Sequence, residues 1–175
     1  MNIILSGPCG VGKSTIGKVL AKRIRVKYLD FDELGFVDIE RRSFGISPFS
    51  IAGFNLPQCF SIMLNNPTDR FVLDIGGENV FRQNTDNKNR VDQINTVKIE
   101  YSSLVFVLSA NKLVLINRYL REKERDDSEF NRIWFDWKNI AEPCWNQCGD
   151  VFIDTSCLDV IDVVDNIVNH IKYKE

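Results

Sequence analysis

A glycine-rich segment near the amino terminus, residues 7–14, limits the possible folds of this chain more than any other feature. Its sequence, GPCGVGKS, fits the pattern G-x-x-x-x-G-K-[ST] in full. The flanks agree with that pattern, because the apolar run 2–6 precedes the loop and helically spaced apolar residues follow it in 13–24. A buried strand, a tight loop and a helix in this order predict the first unit of an α/β fold.

The chemistry of residues 7–14 predicts a binding site for nucleotide phosphates. Glycines let the backbone curl so that successive N–H groups point at phosphate oxygens, and the helix that follows directs its N-terminal dipole at the same anion. Lys13 adds a positive charge between the β- and γ-phosphates, and the Ser14 hydroxyl is a ligand for Mg²⁺. We predict ATP or GTP with Mg²⁺, and ATP is favoured because the sequence shows no N-K-x-D element. The predicted nucleotide-binding residues of the loop are Gly7, Cys9, Gly10, Val11, Gly12, Lys13, Ser14 and Thr15.

Beyond the loop, the chain alternates apolar runs with helical patterns. Runs at 26–29, 71–75, 104–108 and 151–153 indicate further strands, and apolar spacing indicates helices over 112–125 and 158–171. Strands that alternate with helices favour a parallel sheet covered on both faces. We expect a single domain over residues 1–175, in which 33–66 form one or two helices and bind a second substrate.

Acidic side chains lie where two of the predicted strands end. Asp30 and Asp32 follow the second strand, and Asp74 closes the third in the manner of a Walker B element. The carboxyl ends of parallel strands face the ligand crevice. Asp30 and Asp74 are therefore predicted to hold Mg²⁺ together with Ser14, and Asp32 to orient a hydroxyl group or take its proton. The alternative for the aspartates after the second strand is a solvated turn with a helix N-cap.

A glycine pair, Gly76 and Gly77, comes directly after this third strand. Glycines just past a strand end allow the backbone to approach a ligand closely, which predicts contact with a substrate. An ordinary tight turn is the alternative.

Three arginines, Arg118, Arg121 and Arg125, recur at i, i+3 and i+7 before a dense run of charges. That spacing places them on one helix face. We predict a lid over about 122–132 whose Arg125 closes over the phosphates and stabilises charge on the transferred group. The alternative is a solvated helix face that contributes little.

Composition narrows the possible partners. The 175 residues carry a net charge of −2, which gives no reason to expect nucleic acid or an acidic membrane as a partner. The amino terminus lacks the basic flank and cleavage site of a signal peptide, so we expect a cytoplasmic protein. We also expect the protein to be a monomer or a weak dimer. The five cysteines are an odd number and fit reduced thiols in that compartment.

Taken in order, these motifs resemble those of shikimate kinase and its relatives among small metabolite kinases with a glycine-rich phosphate loop. The likeness runs through the loop, Asp30-Phe31-Asp32, Gly76-Gly77, the three arginines, and Pro143, Trp145 and Asp150 before the last strand. It implies a three-layer P-loop NTPase fold with a parallel sheet in the order 2-3-1-4-5, and ATP and Mg²⁺ as co-substrates. It also implies that Arg118 lies against the adenine, that Arg125 is the lid residue, and that Asp32 holds the acceptor hydroxyl.

The sequence also departs from that family at positions that concern the acceptor. Ala141 stands where the family has an acceptor-binding arginine, Glu78 replaces the third glycine of the glycine run, and the family has no acid at Asp74. The prediction is therefore an ATP-dependent kinase that phosphorylates a hydroxyl of a small metabolite other than shikimate, with Lys13, Asp32 and Arg125 as catalytic residues. An NTPase or nucleotide-binding regulator without a small acceptor, and a nucleoside or nucleotide kinase, are the alternatives.

Overall fold

The computed structural model describes residues 1–31, 56–57, 69–81, 86–122 and 126–173. Five parallel strands form its central sheet, in the order β2-β3-β1-β4-β5. The strands are β1 (Asn2–Ser6), β2 (Lys27–Asp30), β3 (Phe71–Asp74), β4 (Ser103–Ser109) and β5 (Val151–Asp154). The predicted fold class and strand order are confirmed.

Helices cover both faces of this sheet. The helices are α1 (Lys13–Ile24), α2 (Gly77–Val80), α3 (Asn87–Glu100), α4 (Lys112–Glu122), α5 (Asp127–Asp136), a π-helical turn (Trp137–Ala141), α6 (Glu142–Cys148) and α7 (Val160–Lys172). Buried residues of α1, α4 and α7 pack on one face of the sheet, and those of α3, the π-helical turn and α6 pack on the other. This is the three-layer arrangement that alternating strands and helices favour.

The three central strands of the sheet, β1, β3 and β4, are buried because they are apolar on both faces. Every residue of β1 and β3 is buried, and β4 is buried over all but its last residue. Burial of one Ile, Leu or Phe side chain stabilises a fold by about 1.5–3 kcal/mol. These strands therefore form the rigid centre from which the site is built.

Helix α3 was not predicted, because its sequence is mostly polar. Its buried apolar residues, Val91, Ile94 and Val97, are three apart and separated by polar residues. The Asp86 side chain caps its first turn by accepting a hydrogen bond from the Asn89 N–H. A narrow apolar stripe is enough here because the helix packs against β4 and α6.

Several predicted boundaries are corrected by one or two residues. The second strand begins at Lys27, the third ends at Asp74, and the helix predicted over 158–171 begins at Val160. Residues 123–125 of the helix predicted over 112–125 lie outside the described residues. The predicted lid of about 122–132 includes the start of α5, which is anchored by the buried Phe130. Apart from 56–57, the predicted acceptor segment 33–66 lies outside the described residues.

Candidate active site

The phosphate loop has a backbone that only glycine tolerates at several positions. Gly10 and Gly12 have φ angles of 78° and 96°, in the left-handed region. At Gly7 a Cβ atom would lie 2.4 Å from the Leu108 carbonyl oxygen, so the loop can pass over the end of β4 only without a side chain. The glycines of the motif therefore have the conformational role that the pattern predicts.

Helix α1 begins with backbone N–H groups that no side chain caps. Gly12 is its N-cap residue and supplies no side-chain hydrogen bond, and no acidic residue occurs in the first turn. The Lys13 ammonium group donates to the carbonyl oxygens of Gly7 and Pro8 at 3.1 and 3.2 Å, which holds the cation over the loop. An uncapped helix start beside a lysine suits a phosphate group.

An acidic cluster lies beside the loop, where β2 and β3 end. Asp30 and Asp74 are register partners on these neighbouring strands. The Ser14 hydroxyl donates to Asp74 Oδ2 at 2.6 Å. The Tyr28 hydroxyl lies 3.3 Å from Asp30 Oδ2 and 3.3 Å from Asp74 Oδ2. We call these residues, Ser14, Tyr28, Asp30 and Asp74, the carboxylate cluster.

Electrostatics in the carboxylate cluster favour a bound cation. Asp74 is only 4% exposed. Burial raises the pKa of its carboxyl group, although the Lys13 charge and the Ser14 hydrogen bond act in the opposite direction. Burial, followed by the charge of Asp74, also raises the pKa of the Tyr28 hydroxyl. A positive charge placed here would offset the cost of a buried carboxylate.

The donor set of the cluster fits Mg²⁺. A hydroxyl and two carboxylates are oxygen ligands, which Mg²⁺ prefers, and this ion usually keeps waters and binds through substrate phosphates as well. No three His, Cys, Asp or Glu side chains come together among the described residues. Nucleotide phosphates and waters would supply the remaining ligands of Mg²⁺ at this cluster.

Gly77, the second residue of the glycine pair, packs tightly against the loop and a tryptophan. A Cβ atom at Gly77 would lie 2.2 Å from Cζ3 of Trp137 and 2.9 Å from the Gly7 carbonyl oxygen. The Trp145 indole N–H donates to the Gly77 carbonyl at 3.1 Å. Gly76, which precedes Gly77, is also buried. The structure thus gives Gly77 a packing role, and substrate contact by the pair stays a prediction.

Arg118 connects three parts of the site. Its guanidinium group donates to the Val11 carbonyl at 3.4 Å, to Thr155 Oγ1 at 3.1 Å and to the Thr155 carbonyl at 3.0 Å. It therefore joins α4 to the phosphate loop and to the end of β5. Arg121, one turn further along, is exposed. Contact of Arg118 with an adenine stays a prediction.

Comparison with known proteins points to one group of enzymes. The family model described as shikimate kinase matches residues 9–43. A shikimate kinase of Pseudomonas syringae pv. tomato is 29% identical over 162 residues, covering 88% of this chain and 86% of that protein. The chain is therefore similar to shikimate kinases over most of its length.

Solved structures agree with this likeness at the level of the fold. The shikimate kinase of Bacteroides thetaiotaomicron aligns with a TM-score of 0.66 at 18% identity, over 98% of each chain. The shikimate kinase of Acinetobacter baumannii, solved in complex with shikimate, aligns with a TM-score of 0.64 at 21% identity, over 99% of this chain and 94% of that one. The likeness supports the predicted class, an ATP-dependent kinase with ATP and Mg²⁺ as co-substrates.

Two predicted catalytic residues, Asp32 and Arg125, lie outside the described residues. Ala141 lies in the π-helical turn, fully buried in the core. Its neighbours in the core cluster are apolar, and the alanine supplies no charge at this position. None of the described helices has the length and apolar character needed to cross a membrane.

Two side chains of the site, Tyr28 and Trp137, were not predicted as functional. Tyr28 is two residues before Asp30 on β2, so the alternation of a strand places both on one face. That spacing was a usable signal. The contact between Trp137 and Gly77 joins residues far apart in the sequence, and local pattern carries no signal for it.

Proposed function

We propose that this chain transfers the γ-phosphoryl group of ATP to a hydroxyl group of a small metabolite. The observation that carries the proposal is the hydrogen bond from Ser14 to the buried Asp74, which joins the phosphate loop to a carboxylate pair at the strand ends. The family model and the curated relatives named shikimate kinase support the kinase class.

Each group in the site has a role that follows from its charge. The loop amides and Lys13 bind the phosphates, and Ser14, Asp30 and Asp74 would hold Mg²⁺, which neutralises charge on the β- and γ-phosphate oxygens. Such a site acts chiefly by positioning and electrostatic stabilisation. Asp32 as the residue that aligns the acceptor, and Arg125 as the residue that closes over the phosphates, complete the proposal.

Two observations point to different acceptors. The curated relatives are named shikimate kinases, which favours shikimate. Ala141, however, is buried and uncharged where the resemblance would place an acceptor-binding arginine. A carboxylate acceptor gains most from a bidentate arginine. We therefore propose a polyhydroxylated acceptor whose recognition depends on its hydroxyl groups. Gly76 and Gly77 are the proposed contacts with this acceptor.

The test is consumption of ATP by purified protein across hydroxylated metabolites, with shikimate, gluconate, sugars and nucleosides in one panel. Each is assayed with Mg²⁺ and with EDTA, and Lys13→Ala is the inactive control. We expect Mg²⁺-dependent turnover with one acceptor class, abolished in Lys13→Ala while the circular dichroism spectrum is unchanged. Turnover confined to the carboxylates shikimate and gluconate would refute the proposed acceptor class and retain the kinase.

A second candidate function is a nucleotide hydrolase or regulator without a small acceptor. It is favoured by Asp74, whose carboxylate accepts a hydrogen bond from the loop serine. A Walker B aspartate is also a feature of P-loop enzymes that hydrolyse nucleotides. Slow ATP hydrolysis that no acceptor increases would support this candidate over a kinase.

Three further expectations stay predictions. They are a cytoplasmic location, a monomeric or weakly dimeric state, and the lack of a nucleic-acid partner.

A further inference from the structure

Tyr28 lies at the centre of the carboxylate cluster, and the proposed function does not use it. Its hydroxyl is 3.3 Å from one oxygen of Asp30 and 3.3 Å from one oxygen of Asp74. A phenol has one hydrogen to donate, so a single group serves two carboxylates on neighbouring strands. The Ser14 hydroxyl donates to the same Asp74 oxygen at 2.6 Å. The phenol thus joins the loop serine and both carboxylates in one hydrogen-bond network.

Gly17 makes room for the Tyr28 ring. A Cβ atom at Gly17 would lie 2.7 Å from Tyr28 Cε2. Gly17 lies inside α1, where glycine costs about 1 kcal/mol relative to alanine. Its φ lies outside the left-handed region, so the contact with the ring, rather than the backbone conformation, explains the glycine. The helix therefore carries a small energetic cost at the point where the ring packs.

A second contact fixes the ring on the same helix. The Lys18 ammonium group lies 5.5 Å from the centroid of the Tyr28 ring, within the range of a cation–π interaction. With Gly17 and Lys18 against the ring, its hydroxyl has a defined position between the two carboxylates. That hydroxyl is thus placed where it contacts both carboxylates at once.

We propose that Tyr28 is a positioning residue for magnesium, because its hydroxyl holds the Asp30 and Asp74 carboxylates where they receive the Mg²⁺ of Mg–ATP. This inference rests on the proposed function, which assigns the metal to Ser14, Asp30 and Asp74. Groups that orient metal ligands through hydrogen bonds typically change metal affinity or activity by about 10–100-fold when removed. Tyr28 acts through the carboxylates, so its effect should appear only when the metal is present.

The test compares Tyr28→Phe with Tyr173→Phe, which removes a hydroxyl from a residue that is 90% exposed. Isothermal titration calorimetry measures ATP affinity once with Mg²⁺ and once with EDTA. We expect Tyr28→Phe to weaken Mg–ATP binding about tenfold and to leave ATP affinity in EDTA at the wild-type value. Tyr173→Phe should match wild type in both conditions. In the acceptor assay, Tyr28→Phe should need more Mg²⁺ for half-maximal rate and keep its kcat at saturating Mg²⁺.

Two outcomes of this titration would overturn the role of Tyr28 alone. One is wild-type affinity for Mg–ATP in Tyr28→Phe. The other is an equal loss of affinity in Mg²⁺ and in EDTA, which would indicate a general structural effect. Wild-type protein that binds ATP equally well with Mg²⁺ and with EDTA would instead overturn the magnesium assignment itself, and the role of Tyr28 with it.

A double-mutant cycle with Asp74→Asn tests the route of the effect. If Tyr28 acts through Asp74, the loss of Mg–ATP affinity in the double variant is smaller than the product of the two single losses. Losses that multiply independently would overturn the proposed route. Asn keeps an oxygen that can accept the Ser14 hydrogen bond, so the fold of Asp74→Asn should be intact, and thermal unfolding checks this.

Discussion

At the residue scale, Gly77 fills a narrow space between the phosphate loop at Gly7 and the ring of Trp137. A methyl group at this position meets the Trp137 ring at 2.2 Å. We expect Gly77→Ala to lower the free energy of unfolding by about 1–3 kcal/mol, the usual cost of overpacking. Urea denaturation measures this loss. Adding Trp137→Phe should recover part of it, because the smaller ring lacks the clashing edge, and strictly additive losses would contradict the packing account.

Two cysteines make a second residue-scale prediction. Cys148 is buried, and burial raises the pKa of its thiol to about 12, whereas Cys157 is exposed. At pH 8 the thiolate fraction of Cys148 is on the order of 10⁻⁴, so its alkylation should be at least about tenfold slower than that of Cys157. Between pH 7 and 9 the rate at Cys148 should rise with pH, since the reactive thiolate becomes more abundant. Peptide mapping after iodoacetamide treatment measures both rates, and equal rates in the folded protein would refute the prediction.

At the scale of elements, the site depends on contacts that join the ends of strands to helices. Arg118 links α4 to the phosphate loop and to Thr155 after β5 by hydrogen bonds to two carbonyls and a hydroxyl. A charged donor of this kind contributes about 1.5–3 kcal/mol per hydrogen bond when it is buried, and less when it is half-exposed. The same helix carries Arg121, which is exposed, and the two arginines therefore separate a positioning role from a general charge effect.

We expect Arg118→Ala to weaken ATP binding about tenfold, which corresponds to about 1.4 kcal/mol. The reason is that the loop loses its connection to β5 and its amides are no longer held for the phosphates. Arg121→Ala should leave ATP affinity within about twofold of wild type, since a lone surface charge contributes little. Fluorescence titration with a labelled nucleotide measures both affinities. A comparable loss in the two variants would indicate general electrostatic attraction instead.

At the scale of the whole molecule, nucleotide binding should stabilise the fold, because the site is assembled from β2, β3, α1 and the loop. A ligand that binds only the native state adds about 2.7 kcal/mol at a concentration of 100 times its Kd. For a domain of this size that raises Tm by roughly 5–10 °C. Differential scanning fluorimetry should show this rise with Mg–ATP and a smaller one with ATP in EDTA. Lys13→Ala should show almost none, and a full shift in that variant would place the nucleotide elsewhere.

Local sequence pattern was enough to determine the phosphate loop, β1, α1 and the alternation of strands and helices. A strand, a loop and a helix that are contiguous in sequence form through contacts within a few residues, so their signal is local. The resemblance to shikimate kinases added the strand order, which the structure confirms. The ends of elements were less certain, as at Val160, because helix ends depend on capping and on packing partners.

Tertiary structure alone decided how distant residues meet. The register of β2 with β3 places Asp30 beside Asp74 and brings the Tyr28 hydroxyl to both. The packing of the π-helical turn places Trp137 on Gly77, and the polar helix α3 is stabilised by β4 and α6 rather than by its own periodicity. These contacts join segments separated by many residues, and periodicity reports only which face of an element is apolar. The phosphate loop could therefore be predicted from its local sequence. The carboxylate cluster beside it could be recognised only from the folded sheet, which brings its residues together.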